Sequence, residues 1–191
     1  MRALVTMLSP MVAAIAMAAL LPAADLSQNA QHKLDMIQAR RVRPGSVVTF
    51  TPAELNAWAQ AKVPQIVPEG MRDERVDLGD GTATGYALVD FLKMRQAKGA
   101  QTNWLIARMI EGERPLRVTV RIESGDGRCT VYLTRVEVSN IAMSGGTLDF
   151  LIDTFFKPLY PDAKINEPFD LDYDIDRIEV RPDAVRVYIK K

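Results

Sequence analysis

The chain has 191 residues, 24 Lys and Arg against 24 Asp and Glu, 48% hydrophobic and 25% charged residues, and a single cysteine. This is the composition of one folded domain with an ordinary core, and it argues against a disordered tail or a repeat array. A balanced charge disfavours nucleic-acid binding, and the lone Cys129 rules out an internal disulfide.

After Met1-Arg2 the run Ala3 to Leu21 carries no charge and ends at Pro22-Ala23-Ala24-Asp25. A basic start, an apolar middle and small residues near a cut predict an export signal over residues 1–24. Spanning a bilayer takes about 20 apolar residues, so an uncleaved anchor that keeps the body near a membrane is the alternative. Cutting after Ala24 places Pro22 three positions back; Ala16 and Ala18 suit that rule better but lie inside the apolar run. Both readings export the body, residues 25–191, to the periplasm or another extracytoplasmic space as a single domain. No cysteine follows the apolar run, so a lipoprotein anchor is not indicated.

Within residues 25–43, Leu26, Ala30, Leu34 and Ile37 recur at helical spacing. Asp25 or Ser27 is placed to cap, Arg40, Arg41 and Arg43 lie at the negative end, and Pro44-Gly45 ends the helix. His32 reads as a solvated helix residue, because a general base needs an orienting partner and none is evident. The body, residues 47–191, begins with the apolar strand Val47 to Phe50, which runs into Thr51-Pro52-Ala53-Glu54-Leu55-Asn56-Ala57-Trp58. Thr51, Pro52 and Glu54 form a capping box, and Leu55, Trp58 and Ala59 share one face.

Val63-Pro64 and Val67-Pro68-Glu69-Gly70 predict a loop. A strand with Val76 and Leu78 then turns at Gly79-Asp80-Gly81-Thr82 into Ala83 to Met94, a β-hairpin. A phosphate loop is excluded there, with neither Gly-Lys-Ser/Thr nor a GxGxxG opening a helix. Thr102 to Gly112 predicts a short helix bearing Trp104, Leu105, Ile106, Met109 and Ile110. Leu116, Val118, Val120 and Ile122 alternate with Arg117, Thr119 and Arg121, a half-buried strand with a basic outer face. Ser124-Gly125-Asp126-Gly127 turns it into Cys129, Val131 and Leu133, after which the apolar phase slips to Val136 and Val138. A period of two changes phase only by gaining a residue, so a bulge near Thr134-Arg135 follows. Leu171, Tyr173 and Ile175 slip in the same way into Ile178 and Val180. Between these hairpins, Leu148 to Tyr160 forms a helix apolar around most of its girth, with Asp149, Asp153 and Lys157 as its polar stripe. Val185, Val187 and Ile189 form the last strand. The fold class that results is α+β, a strongly bent antiparallel sheet wrapped around or covered by amphipathic helices.

The sequence does not gather the parts of an enzyme. Asp170, Asp172, Asp174 and Asp176 resemble a calcium cluster, but strand alternation places them on one solvated face and the loop's glycine is missing. Ser144-Gly145-Gly146 is not the GxSxG elbow, and one His and one Cys cannot make a zinc site. Cys129 reads as a buried small hydrophobe, and Arg117 and Arg121 as solvated surface. No cofactor is implied, and no protein partner is indicated.

The apolar residues remain: Leu55, Trp58, Trp104, Leu105, Met109, Leu148, Leu151, Ile152, Phe155 and Phe156. Either they form a closed core, or they line an elongated cavity for an acyl chain, since long apolar clefts suit lipids better than polar metabolites. The order of export signal, helix, strand, Thr51-Pro52-Ala53-Glu54-Leu55-Asn56-Ala57 helix and long antiparallel hairpins resembles the bacterial LmeA-like phospholipid-binding proteins and the YceB-like lipoproteins. The resemblance covers roughly residues 47–191, apart from the lipoproteins' anchoring cysteine, which this chain lacks. It implies a fold similar to half of a tubular lipid-binding architecture and a non-catalytic role in binding or transferring lipid in the cell envelope. The alternative is an envelope interaction or assembly protein with a fully packed core and no ligand.

Overall fold

A computed structural model describes residues 23–66, 69–97, 112–157 and 164–191. Two antiparallel sheets and four helices make up the α+β fold of these residues. The elements in order are α1 (Ala23–Gln38), β1 (Val47–Phe50), α2 (Pro52–Ile66), β2 (Met71–Gly79), β3 (Thr82–Val89), α3 (Phe91–Ala97), β4 (Arg114–Gly125) and β5 (Arg128–Val138). They continue with β6 (Ile141–Ala142), α4 (Gly145–Leu151), a π-helical turn over Ile152–Phe156, β7 (Pro168–Asp170), β8 (Ile175–Arg181) and β9 (Ala184–Ile189). None of the described helices is long and apolar enough to cross a membrane.

The smaller sheet has the order β1-β9-β8, and the larger runs β2-β3-β4-β5-β6 with β7 also paired to β5. The two meet where the hairpin turns of the larger sheet reach the edge strand β8. Gly81 N–H donates to the Val180 carbonyl at 3.0 Å and Gly127 N–H to the Asp176 carbonyl at 2.7 Å, while Ile178 N–H donates to Ser124 Oγ at 2.8 Å. These bonds occupy backbone groups that an edge strand otherwise offers to another chain. Gly81 and Gly127 have φ of +62° and +74°, a region glycine enters without steric cost.

Local chemistry explains why α2 starts where it does. Thr51 N–H donates to Glu54 Oε2 at 2.9 Å and Glu54 N–H to Thr51 Oγ1 at 3.2 Å, so the expected capping box is formed. Lys33 of α1 adds its ammonium to both Glu54 oxygens at 2.7 and 2.8 Å and to the Thr49 carbonyl at 2.7 Å. Burial pushes the Glu54 carboxyl up, but Lys33 and the Thr51 amide and hydroxyl outweigh it and hold the group below its ordinary range. Further along α2, Asn56 faces the edge strand β2 and binds one residue of it twice. Its Nδ2 donates to the Val76 carbonyl at 2.9 Å, and its Oδ1 accepts from Val76 N–H at 2.7 Å. One amide side chain thus takes the place of a neighbouring strand.

Buried apolar residues form two clusters. Ala30, Ile37, Phe50, Val187 and Ile189 bind α1 and α2 to the smaller sheet, with Leu34, Leu55 and Trp58 packed against them. Val89, Phe91 and Met94 form the second cluster, against the larger sheet, with Met71, Leu116, Val138 and Leu151 around them.

Several expected boundaries move. The first helix ends at Gln38, short of Pro44-Gly45, because Arg40 takes the left-handed region with φ of 52°. Helix α2 continues through Pro64 to Ile66 instead of ending in a proline loop; a proline this near the C-terminus forfeits only one backbone bond. The hairpin arm expected to reach Met94 stops at Val89, where Asp90 Oδ1 accepts from Lys93 N–H at 3.0 Å and starts α3. Asp170, Asp172, Asp174 and Asp176 do not share one strand face, since Tyr173 and Asp174 at φ of 58° and 60° break the chain between β7 and β8. The bulges, in contrast, fall where the phase slips predict. Thr134 is the extra residue between the pairs Val120–Leu133 and Thr119–Arg135, and Asp176 the extra one between Ile175–Ile189 and Arg177–Tyr188.

Candidate functional site

The inner face of the larger sheet is roofed by helices but not filled by them. A partly open cavity of about 370 Å³ lies between, and every described residue lining it is apolar. Its floor is the alternating set Leu116, Val118 and Val120 of β4 and Val131, Leu133 and Val136 of β5. The bulge at Thr134 makes that floor continuous: without the extra residue, Val136 would point to the opposite face from Val131 and Leu133. Met71 and Val89 close one side, Phe91 and Met94 of α3 and Val63 at the far end of α2 close another, and Ile165 stands beside β5.

The roof is α4 and its π turn, which contribute Leu148, Leu151, Ile152 and Phe156. Gly145–Leu151 has no buried residue, Ser144 makes no side-chain cap bond, and Gly145 opens the helix at φ of +54°. The wider turn closes with Lys157 N–H donating to the Ile152 carbonyl at 2.9 Å, an irregularity often found at functional sites.

Several charged residues near the lining positions in sequence are paired with one another. Arg72 makes a two-pronged bond to Glu113 at 2.8 and 2.7 Å and also pairs with Asp73; Lys93 lies 3.7 Å from Asp90 and Lys157 2.7 Å from Asp153. The bond from Arg72 holds the Glu113 carboxyl below its ordinary range. On the outer face, Arg75 and Arg117 lie over the Tyr86 ring at 4.3 and 5.2 Å, and Arg121 over Tyr132 at 4.3 Å. Glu137, only 5% exposed, accepts from Arg117 and Arg135, and the Arg135 bond is the main cause that holds its carboxyl below its ordinary range. This basic face is thus a set of stacked and ion-paired side chains.

Of the residues proposed from the sequence, the structure brings Leu148, Leu151, Ile152 and Phe156 to the cavity. Leu55 and Trp58 pack instead in the core of α1, α2 and the smaller sheet, where Trp58 Nε1 donates to Gln31 Oε1 at 2.9 Å. Trp104, Leu105 and Met109 lie outside the described residues, as does the side chain of Phe155. The sheet floor and α3 are not among the residues marked from the sequence, although the alternation of 116, 118, 120 with 131 and 133 marks the floor. His32 is exposed, and Cys129 is buried at 3% exposure, which pushes its thiol up and keeps it in the unreactive form. Among the described residues, no group of three or more His, Cys, Asp or Glu is placed to hold a metal ion.

Comparison with known proteins found no matching family model, no matching curated protein and no matching solved structure.

Proposed function

We propose that this chain is a non-catalytic binder or carrier of a lipid or another long apolar ligand, held in the cavity between the larger sheet and α4. The observation that carries the reading is the lining: a space of about 370 Å³, within the range of small-molecule sites, whose described walls carry only Val, Leu, Ile, Met and Phe. A polar metabolite would lose its hydration there without gaining a hydrogen bond, whereas a hydrocarbon chain loses nothing by leaving water. The charge-free run Ala3 to Leu21 supports an extracytoplasmic setting, and the resemblance of Thr51 to Ala57 to the LmeA-like proteins supports the same ligand class.

Native mass spectrometry of the purified protein tests the proposal, together with titration by a fluorescent fatty acid. A co-purified lipid mass, or saturable uptake of the probe at one site, is the expected result. A ligand-free protein that also fails to take up the probe would sink the reading and favour an assembly protein.

A further inference from the structure

Two large apolar side chains beside the cavity are turned away from it. Ile141 of β6 is 65% exposed and Phe150 of α4 is 44% exposed, and the two elements are joined by only two residues, Met143 and Ser144. Ile141 pairs with Val138 across the β6 turn, and Val138 and Leu151 each pack against the Val89 cluster. Phe150 directly precedes Leu151 on α4. Phe156 belongs to both surfaces, since it lines the cavity and is 37% exposed. Phe156 therefore carries apolar surface from the outside of the roof into the cavity.

We infer that α4 and the β6 turn form a surface that docks on a phospholipid bilayer, with Ile141, Phe150 and Phe156 entering the headgroup–acyl boundary. Docking there sets the open cavity against the membrane, so that a hydrocarbon chain moves between bilayer and protein without crossing water. Two features favour a bilayer over a second copy of the chain. A protein seated on Phe156 would stopper the cavity it lines, whereas a bilayer supplies it. The charge-free run Ala3 to Leu21, outside the described residues, also ends directly before α1, and as an uncleaved anchor it holds the body at a membrane. The contact is apolar and not electrostatic: α4 and its π turn carry Asp149 and Asp153, and Lys157 is paired with Asp153. Docking therefore needs no anionic lipid.

The inference rests on the lipid reading of the cavity, and its test is separable from that reading. In the full chain, an environment-sensitive dye is placed on the thiol introduced by Ala142→Cys, and in a control on that from Ala53→Cys; both sites are exposed, and the buried Cys129 does not compete for label. On addition of neutral phosphatidylcholine vesicles carrying nitroxide-labelled acyl chains, the dye at 142 is quenched and blue-shifted and the dye at 53 is not. Equal or absent quenching at both sites overturns the inference. A blue shift at 142 that grows with protein concentration without vesicles overturns it in favour of self-association.

A chain with Ile141→Asp and Phe150→Asp should transfer a fluorescent phospholipid from vesicles at least about tenfold more slowly, the effect of losing the burial of one large apolar side chain. Its uptake of a short-chain fluorescent fatty acid directly from water should be unchanged. Unaltered transfer overturns the docking surface alone. Loss of uptake from water in this variant shows that the two residues serve the cavity and also overturns it, whereas loss in the unmutated chain sinks the lipid reading itself.

Discussion

Replacing Asn56 with alanine removes three hydrogen bonds at once: Nδ2 to the Pro52 carbonyl at 2.8 Å, Nδ2 to the Val76 carbonyl at 2.9 Å, and Val76 N–H to Oδ1 at 2.7 Å. The Pro52 bond lies within α2, where water substitutes readily. The other two leave both backbone groups of Val76 unpaired under a helix. At roughly 0.5–1.5 kcal/mol net for each bond, the loss comes to about 2 kcal/mol. Urea unfolding followed by tryptophan fluorescence measures that total. Amide exchange locates it, because Val76 opens without global unfolding once its clamp is gone, and its exchange should rise by about 30-fold for a 2 kcal/mol change. Asn56→Asp sharpens the test. It keeps the acceptor for Val76 N–H but turns a carboxylate oxygen toward two carbonyls, so it should cost at least as much as alanine near neutral pH. The difference from the unmutated chain should narrow in acid, where the protonated carboxyl donates again. Unchanged Val76 protection in Asn56→Ala would refute the edge-clamping role, whatever happened to total stability.

Other expectations follow from the two cores and the cavity. Phe50→Ala, at a side chain 2% exposed in the first core, should cost about 3–5 kcal/mol in urea unfolding, whereas Leu151→Ala, on the half-buried roof of a space already empty, should cost under about 1 kcal/mol. Val118→Phe, which points a larger ring into the cavity from its floor, should leave stability within about 1 kcal/mol and abolish fatty-acid uptake; a severe loss of stability would mean that the floor is tightly packed. Because the folded-state pKa of Glu54 lies below its ordinary value of 4.5, its contribution is complete above that value and is lost as pH falls through the depressed pKa. Glu54→Gln should therefore flatten the acid limb of stability against pH, read by thermal melts from pH 6 downward.

What the sequence makes legible is whatever is decided within a few residues. The capping box of Thr51 and Glu54 is a contact between neighbours, and the bulge at Thr134 is announced by a phase slip that no regular strand can contain. The hairpin turns at Asp80-Gly81 and Asp126-Gly127 are readable for the same reason. The start of α3 was equally local, since Asp90 is a cap and Phe91 and Met94 lie three apart, but a continuing run of strand-like residues masked it. Pro64 and the left-handed pair Tyr173-Asp174 depend on tertiary surroundings that override local preference. The cavity is a property of assembly. Leu55 and Trp58 are apolar and helical like Leu151 and Ile152, and only the sheet that each helix meets decides which of them line empty space. Asn56, read as one letter of a motif, becomes a clamp only when β2 is laid beside it.

The smaller sheet joins the two ends of the described chain, with Phe50 of β1 opposite Val185 of β9 and Val187 and Ile189 completing the core over α1 and α2. Such distant partners meet only after a large loss of chain entropy, so this pairing belongs late in folding. A chain that emerges N-terminus first has its opening helices waiting, their apolar faces uncovered, until the last strand arrives. Removal of the residues from Ala184 onward should therefore leave α1 and α2 unable to dock, and such a product would be a substrate for proteases rather than a shortened but working protein.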